Sequence, residues 1–213
     1  DPYNLVAGGQ DNDSVGDVAK GNEHGVSTAR DGKTIVGFRG IDFGKIGSDS
    51  ITLPIFELGG VETPIGIWDG KPGEKESRLL ITAVYQKASI WNTYQEETYL
   101  LPERLKGIHD LYFELHQKIH LKGFVFRKYP KAFECLYANE SEAIYGDQMR
   151  VTEKGVMDIG NNVTLEFSDM DFGSDGTDKI CICGRTQNEK NTIHIRFFEG
   201  AKENRQFIEL PQD

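Results

Sequence analysis

The chain is short of the residues on which several functional classes depend. Its 213 residues hold 24 Lys and Arg against 34 Asp and Glu, a formal net charge of −10. Phosphate binding needs clustered basic side chains, so this balance argues against nucleic acid as a partner. No run approaches the roughly 18 apolar residues of a membrane helix, and no membrane partner is expected. Three cysteines, Cys135, Cys181 and Cys183, are too few for a disulfide framework. Cys181 and Cys183 stand at i and i+2 and share a face if they lie on a strand, so they are expected to be two buried small apolar residues. The opening Asp1-Pro2-Tyr3-Asn4 has neither a Met nor an apolar core segment. No signal peptide is expected in it, and the chain is expected to be cut from a longer protein.

Catalytic motifs are missing as well. The five histidines, at positions 24, 109, 116, 120 and 194, show no His-Glu-x-x-His spacing, and no Gly-x-Ser-x-Gly elbow is present. Gly44-Lys45-Ile46-Gly47 has the wrong spacing for a phosphate-cradling loop. The acidic residues gather in segments such as Asp11-Asn12-Asp13 and Ser174-Asp175-Gly176, where solvated turns are the plain expectation. His109 precedes Asp110, which could orient its ring, but no Ser or Cys nucleophile is near. The expectation is a structural histidine that stabilises a turn, and no catalytic residue.

What the sequence does contain is an internal repeat. Ile41-Asp42-Phe43-Gly44 returns as Met170-Asp171-Phe172-Gly173, and Gly47-Ser48-Asp49-Ser50-Ile51 returns as Gly176-Thr177-Asp178-Lys179-Ile180 at the same offset. Seven of fourteen positions agree between residues 38–51 and 167–180. The expected organisation is a first module over 1–128, a linker over 129–137, and a second module over 138–213. Asp213 aligns near Val84 of the first copy, which runs on to Phe126, so the second copy is expected to be truncated and completed, if at all, by other chain.

Both copies read as β structure. Thr34–Phe38, Ser50–Phe56, Leu79–Tyr85, Leu111–Leu115, Ile119–Phe126 and Thr192–Phe197 are short β-branched or aromatic runs bounded by Gly, Asp, Asn or Pro. Helical periodicity is confined to one turn's worth at Pro102-Glu103-Arg104-Leu105. Many short strands at close spacing predict an all-β sandwich.

The binding candidates are aromatic. A pyranose has an apolar face that stacks on an aromatic ring, and hydroxyls that bond to amides and carboxylates. Ser89-Ile90-Trp91-Asn92-Thr93-Tyr94 gathers such groups; strand alternation would set Trp91 with Thr93, and Asn92 with Tyr94 on the other face. Trp68, before Asp69-Gly70, is a second candidate, and each of these rings is equally suited to sheet packing. For a metal the candidates are weaker: Asp11 and Asp13 in the first acidic loop, and Glu140 and Glu142 in Asn139-Glu140-Ser141-Glu142, all hard oxygen donors of the kind calcium takes. Neither segment matches an EF-hand.

Gly107-Ile108-His109-Asp110-Leu111-Tyr112-Phe113, leading into Gly123-Phe124-Val125-Phe126, resembles the closing strands of family 6 carbohydrate-binding modules. Ile90 to Tyr99, Tyr145-Gly146-Asp147, Gly160-Asn161-Asn162-Val163, Cys183-Gly184-Arg185-Thr186 and Asn191 to Phe197 are similar to the family-6-like modules carried in tandem at the C-terminus of certain bacterial glycoside hydrolase family 2 enzymes. The resemblance implies a galactose-binding-like jelly-roll β-sandwich in two copies, no required cofactor but a structural calcium between the sheets, and a non-catalytic accessory region. The parent it implies is a β-galactosidase or β-glucuronidase. The implied partners are its catalytic core, a neighbouring subunit, or a galactose-containing glycan bound at Trp91, Tyr94, Trp68 and Asn92. One departure stands out: sugar-binding family members often present an Asn just before the last strand, where this chain reads Gln117-Lys118-Ile119-His120-Leu121-Lys122-Gly123. The unpaired cysteines favour a bacterial cytoplasmic location over a secreted one.

Overall fold

The computed structural model describes residues 1–16, 19–20 (backbone only), 25–29, 32–59 and 62–212. Two compact units result, Asp1–Asp171 and Phe172–Asp213. Among the described residues no helix is long and apolar enough to cross a membrane.

The first unit opens with β1 (Val6–Ala7), β2 (Ala19–Lys20), β3 (Val26–Ser27), β4 (Thr34–Asp42), β5 (Ser48–Glu57) and β6 (Thr63–Asp69). It continues through β7 (Arg78–Tyr85), β8 (Gln95–Leu105), β9 (Ile108–Leu115), β10 (Ile119–Leu121) and β11 (Gly123–Phe126). One sheet runs β1-β11-β5-β10-β3-β2, with β8 on the other side of β5; the other sheet is β4-β9-β6-β7. The pairs are antiparallel. Alternation decides which side chains enter the space between the sheets. Ile51, Leu53 and Ile55 of β5, Ile65 and Ile67 of β6, and Val36 and Phe38 of β4 are buried in one core cluster. Its centre is a set of rings: Phe124 lies 5.0 Å from Phe38, 5.4 Å from Phe113 and 5.9 Å from Phe126.

The apolar run Ile119–Phe126 becomes two strands because the chain steps at Lys122 and Gly123. Both strands still pair with β5, β10 against Ile55 to Glu57 and β11 against Ile51 and Thr52. Gly123 passes so near β1 that a Cβ there would lie 2.1 Å from the Val6 carbonyl oxygen. Pro102 to Leu105, expected to form a helical turn, is instead the end of β8. Its pairing with β5 is interrupted between Leu100 and Leu105, opposite Ser50 and Ser48, and an interruption of this kind tolerates a proline that cannot donate to a ladder.

Beyond β11 the chain is fastened to the sandwich. The Tyr129 hydroxyl donates to Asp49 at 2.6 Å, Arg104 lies 4.0 Å over the Tyr129 ring, and Arg104 pairs with Glu134 at 2.7 Å. Residues 143–166 form two short ladders, β12 (Ala143–Tyr145) with β15 (Thr164–Glu166), and β13 (Arg150–Thr152) with β14 (Gly155–Met157).

The second unit is built on one hairpin, β16 (Thr192–Glu199) with β17 (Lys202–Glu209). The repeated sequence takes different structure in its two places. Ser48–Glu57 is a strand held on both sides by β8, β10 and β11, whereas residues 177–186 form no ladder. A strand depends on its partners, and the residues that supply them to β5 come from 95–126. Cys181 and Cys183, expected to be buried, are exposed for the same reason: the stretch that carries them is not roofed by a second sheet.

Candidate functional site

The site is built on the outer face of β5. With Ile51, Leu53 and Ile55 turned inward, Phe56 points the other way, yet only 9% of it is exposed. Three side chains cover it. His120, its cross-strand partner on β10, is tilted against it at 5.2 Å; Trp91 meets it edge-on at 6.2 Å and Tyr94 at 6.4 Å. Lys122 holds its ammonium 5.6 Å over the Tyr94 ring. The Tyr94 hydroxyl lies along the start of β3, where a Cβ on Gly25 would stand 3.1 Å from it.

Trp91 and Tyr94 belong to the β7–β8 connection, residues 86–94. Alternation does not apply there, because Ile90 to Thr93 is a turn closed by the Thr93 amide on the Ile90 carbonyl at 3.2 Å. Asn92 sits in the left-handed region at φ 53°, which asparagine tolerates better than most residues. The turn puts the Trp91 and Tyr94 rings on the same Phe56, not on opposite faces, and leaves the Asn92 amide exposed. The connection is pinned at several points. Ser89 donates its hydroxyl to the Glu57 carbonyl, the Gln95 side chain donates to the Ala88 carbonyl at 2.7 Å, and the Gln86 amide donates to Glu97 at 3.3 Å. The outcome is a tryptophan that is 80% exposed on a connection held in place.

Trp68 lies elsewhere. It ends β6 on the outer face of the four-stranded sheet, folded over Gly66 and lining a shallow cleft with Pro64, Leu79, Glu114 and His116. Its buried indole N–H has no hydrogen-bond partner among the described residues. The two tryptophans therefore serve different faces of the sandwich.

The four carboxylates read as calcium candidates are engaged by protein donors. Asp11 accepts from Ser14 at 2.5 Å, Glu140 from the Tyr137 amide at 2.9 Å, and Glu142 from Lys131 and the Ser168 amide. Asp13 accepts from Lys71 at 2.8 Å and from the Tyr112 hydroxyl at 2.7 Å, and pairs with Arg39 at 2.8 Å. Among the described residues no group of three or more His, Cys, Asp or Glu is placed to hold an ion.

Asp13 instead makes the sandwich sensitive to acid. The Lys71 hydrogen bond, then that of Tyr112, holds its carboxyl below the ordinary carboxylate range. A folded-state value below the unfolded one stabilises above the unfolded pKa of about 4, and that stability is lost as the pH falls through the folded value. The urea midpoint of the wild type is therefore expected to fall below about pH 4. Asp13→Asn should start lower at neutral pH and converge with the wild type in acid; parallel curves would show that the pairing contributes nothing.

His109 has the structural role expected of it, with a different partner. Its Nδ1 lies 3.0 Å from both carboxylate oxygens of Asp69 on β6, and its Nε2 lies 2.9 Å from the Lys106 carbonyl. Asp110, next along the strand, points away and accepts from the Gly40 amide at 2.8 Å.

Sequence reasoning singled out Trp91, Tyr94 and Asn92 but not Phe56, His120, Lys118 and Lys122, which the structure places beside them. The signal for the last three was the polar half of the alternation Lys118-Ile119-His120-Leu121-Lys122. Burial, then the Lys118 charge, lowers the His120 imidazole from its ordinary value, so at neutral pH the ring is uncharged and offers one N–H.

No protein-family model matches the chain, and no curated protein matches it. Solved structures do. A family 6 carbohydrate-binding module whose binding subsites were dissected by crystallography and calorimetry superposes with a TM-score of 0.50 at 20% identity, covering 60% of this chain and 95% of that one. A module from Clostridium stercorarium in complex with cellobiose gives the same values. The chain thus has the β-sandwich fold of family 6 carbohydrate-binding modules.

Proposed function

We propose that the chain is a glycan-binding, non-catalytic accessory region of a glycoside hydrolase, and that it takes a pyranose on Trp91 and Tyr94 with the Asn92 amide at the ring edge. The observation that carries this reading is the exposure of Trp91 on a pinned connection. A scaffold buries its large rings, while a binder spends sheet and loop contacts to hold one open. Ordering the loop in advance lowers the entropy lost on binding. The solved neighbours support the reading through what is said of them: they are carbohydrate-binding modules, one in complex with cellobiose. The parent we propose is a bacterial family 2 enzyme of the β-galactosidase or β-glucuronidase kind, on the motifs from Ile90 to Tyr99 and Asn191 to Phe197.

A second reading is favoured by the unit Phe172–Asp213, where Ile180, Phe198 and Phe207 are exposed. Exposed apolar side chains in such number suit packing on a catalytic core or a neighbouring subunit.

The test is titration of the chain with galactose, lactose, cellobiose and glucuronic acid, followed by calorimetry and tryptophan fluorescence. Saturable binding is expected. No heat and no fluorescence change up to about 10 mM would sink the simple-sugar reading and leave the packing role ahead.

A further inference from the structure

The strand β10 gives the aromatic site a charge that the rest of the chain does not lead one to expect. Ile119 and Leu121 are buried, so His120 faces outward, and Lys118 and Lys122, two residues to either side, share its face. Lys122 continues the ladder, its amide donating to the Pro54 carbonyl at 3.0 Å. Its ammonium stands over Tyr94 at 5.6 Å, and the Lys118 charge acts on His120. In a chain of net charge −10, many basic side chains are consumed by carboxylates, as Arg39 and Lys71 are by Asp13 and Arg104 is by Glu134. Among the described residues neither Lys118 nor Lys122 makes such a pair. Of the acidic groups near them among the described residues, Glu57 is buried and bonded to the Gly59 amide, while Glu96, opposite Pro54 on β8, shares the outer face.

We propose that the Trp91 platform selects pyranoses bearing an anionic group, a uronate carboxylate or a sulfate ester, held by Lys122 and Lys118. This rests on the glycan-binding reading of the same site. A pyranose stacked on an aromatic ring presents its exocyclic substituent at the ring edge, and Lys122 stands over Tyr94, the ring that shares Phe56 with Trp91. A neutral hydroxymethyl there makes one ordinary hydrogen bond, whereas an anion makes charge-assisted bonds of about twice the strength. The ring under the Lys122 ammonium holds it in place by a cation–π contact, which lowers the cost of ordering it on binding. The neutral His120 adds an N–H donor without adding charge.

Calorimetry with methyl β-D-glucuronide, glucose 6-sulfate and methyl β-D-glucoside tests this on the full chain. At low salt at least one anionic sugar is expected to bind about tenfold tighter than the glucoside. The one that gains identifies the source of the anion. The advantage should collapse at about 0.5 M salt and in the double variant Lys118→Gln/Lys122→Gln, which should lose far more affinity for the anionic sugar than for the glucoside. Circular dichroism of the variant checks that it folds. Equal affinities, or an advantage that survives the double substitution, overturn the proposal. If the glucoside binds and the anions gain nothing, only the charge selection is lost; if no sugar binds, the platform itself is wrong.

Discussion

Trp91→Ala is expected to lower sugar affinity by about 30-fold while leaving the stability of the sandwich nearly unchanged. The two halves of this expectation come from the same number. Because 80% of the side chain is exposed in the free protein, the ring has little to lose from folding and much to bury when a sugar stacks on it. Covering one indole face and forming the stacked pair is worth about 2 kcal/mol, or about 30-fold. Among the described residues its ring contact is an edge-on approach to Phe56 at 6.2 Å, so the urea midpoint should move by less than about 0.5 kcal/mol equivalent. Tyr94→Ala gives the contrast. That ring is half-buried, lies against Gly25 and carries Lys122, so its loss should weaken binding and stability together. Unchanged affinity in Trp91→Ala would move the site away from the β7–β8 connection and remove the basis for the anion preference as well.

How far the sequence foretold this arrangement depends on the range of the interaction concerned. A strand whose apolar and polar residues alternate, such as Thr192 to Phe197, was legible because alternation is a local signal. Phe56 was not, since it follows Ile55 and both are apolar; which of the two faces the core is settled by the ladder with β10, a contact between residues some sixty positions apart. The same holds for His109. Neighbours on a strand point to opposite faces, so adjacent Asp110 does not meet it, and the partner is Asp69 from β6. At Asn92 a single left-handed residue replaced the expected strand by a turn, and that replacement is what brings Trp91 and Tyr94 onto one side. The repeat was legible as sequence, but a strand copied without its partners does not copy the ladder.

Phe124→Ala tests the part of the fold on which the site rests. Phe124 is wholly buried between Phe38, Phe113 and Phe126, with ring centres 5.0 to 5.9 Å away. Truncation removes the transfer free energy of the ring, its edge contacts and the support for three other rings, a loss of about 3–5 kcal/mol. Against a total stability of about 5–15 kcal/mol this is a large fraction, visible as a fall of about 1–2 M in the urea midpoint. Phe207→Ala on the hairpin of the second unit is the control. That ring is 64% exposed, so the same atoms removed there should cost less than about 1 kcal/mol. Equal losses at the two positions would mean that the ring cluster is not the centre of the cooperative core. The variant also separates folding from binding, because the platform faces outward from β5 while Phe124 packs on its inner side. A sugar that binds only the folded state, at about 100 times its dissociation constant, should restore about 2.7 kcal/mol to Phe124→Ala. It should restore only about 0.9 kcal/mol to the double variant Phe124→Ala/Trp91→Ala, whose affinity is about 30-fold lower, and a full rescue there would mean that the sugar acts somewhere other than Trp91.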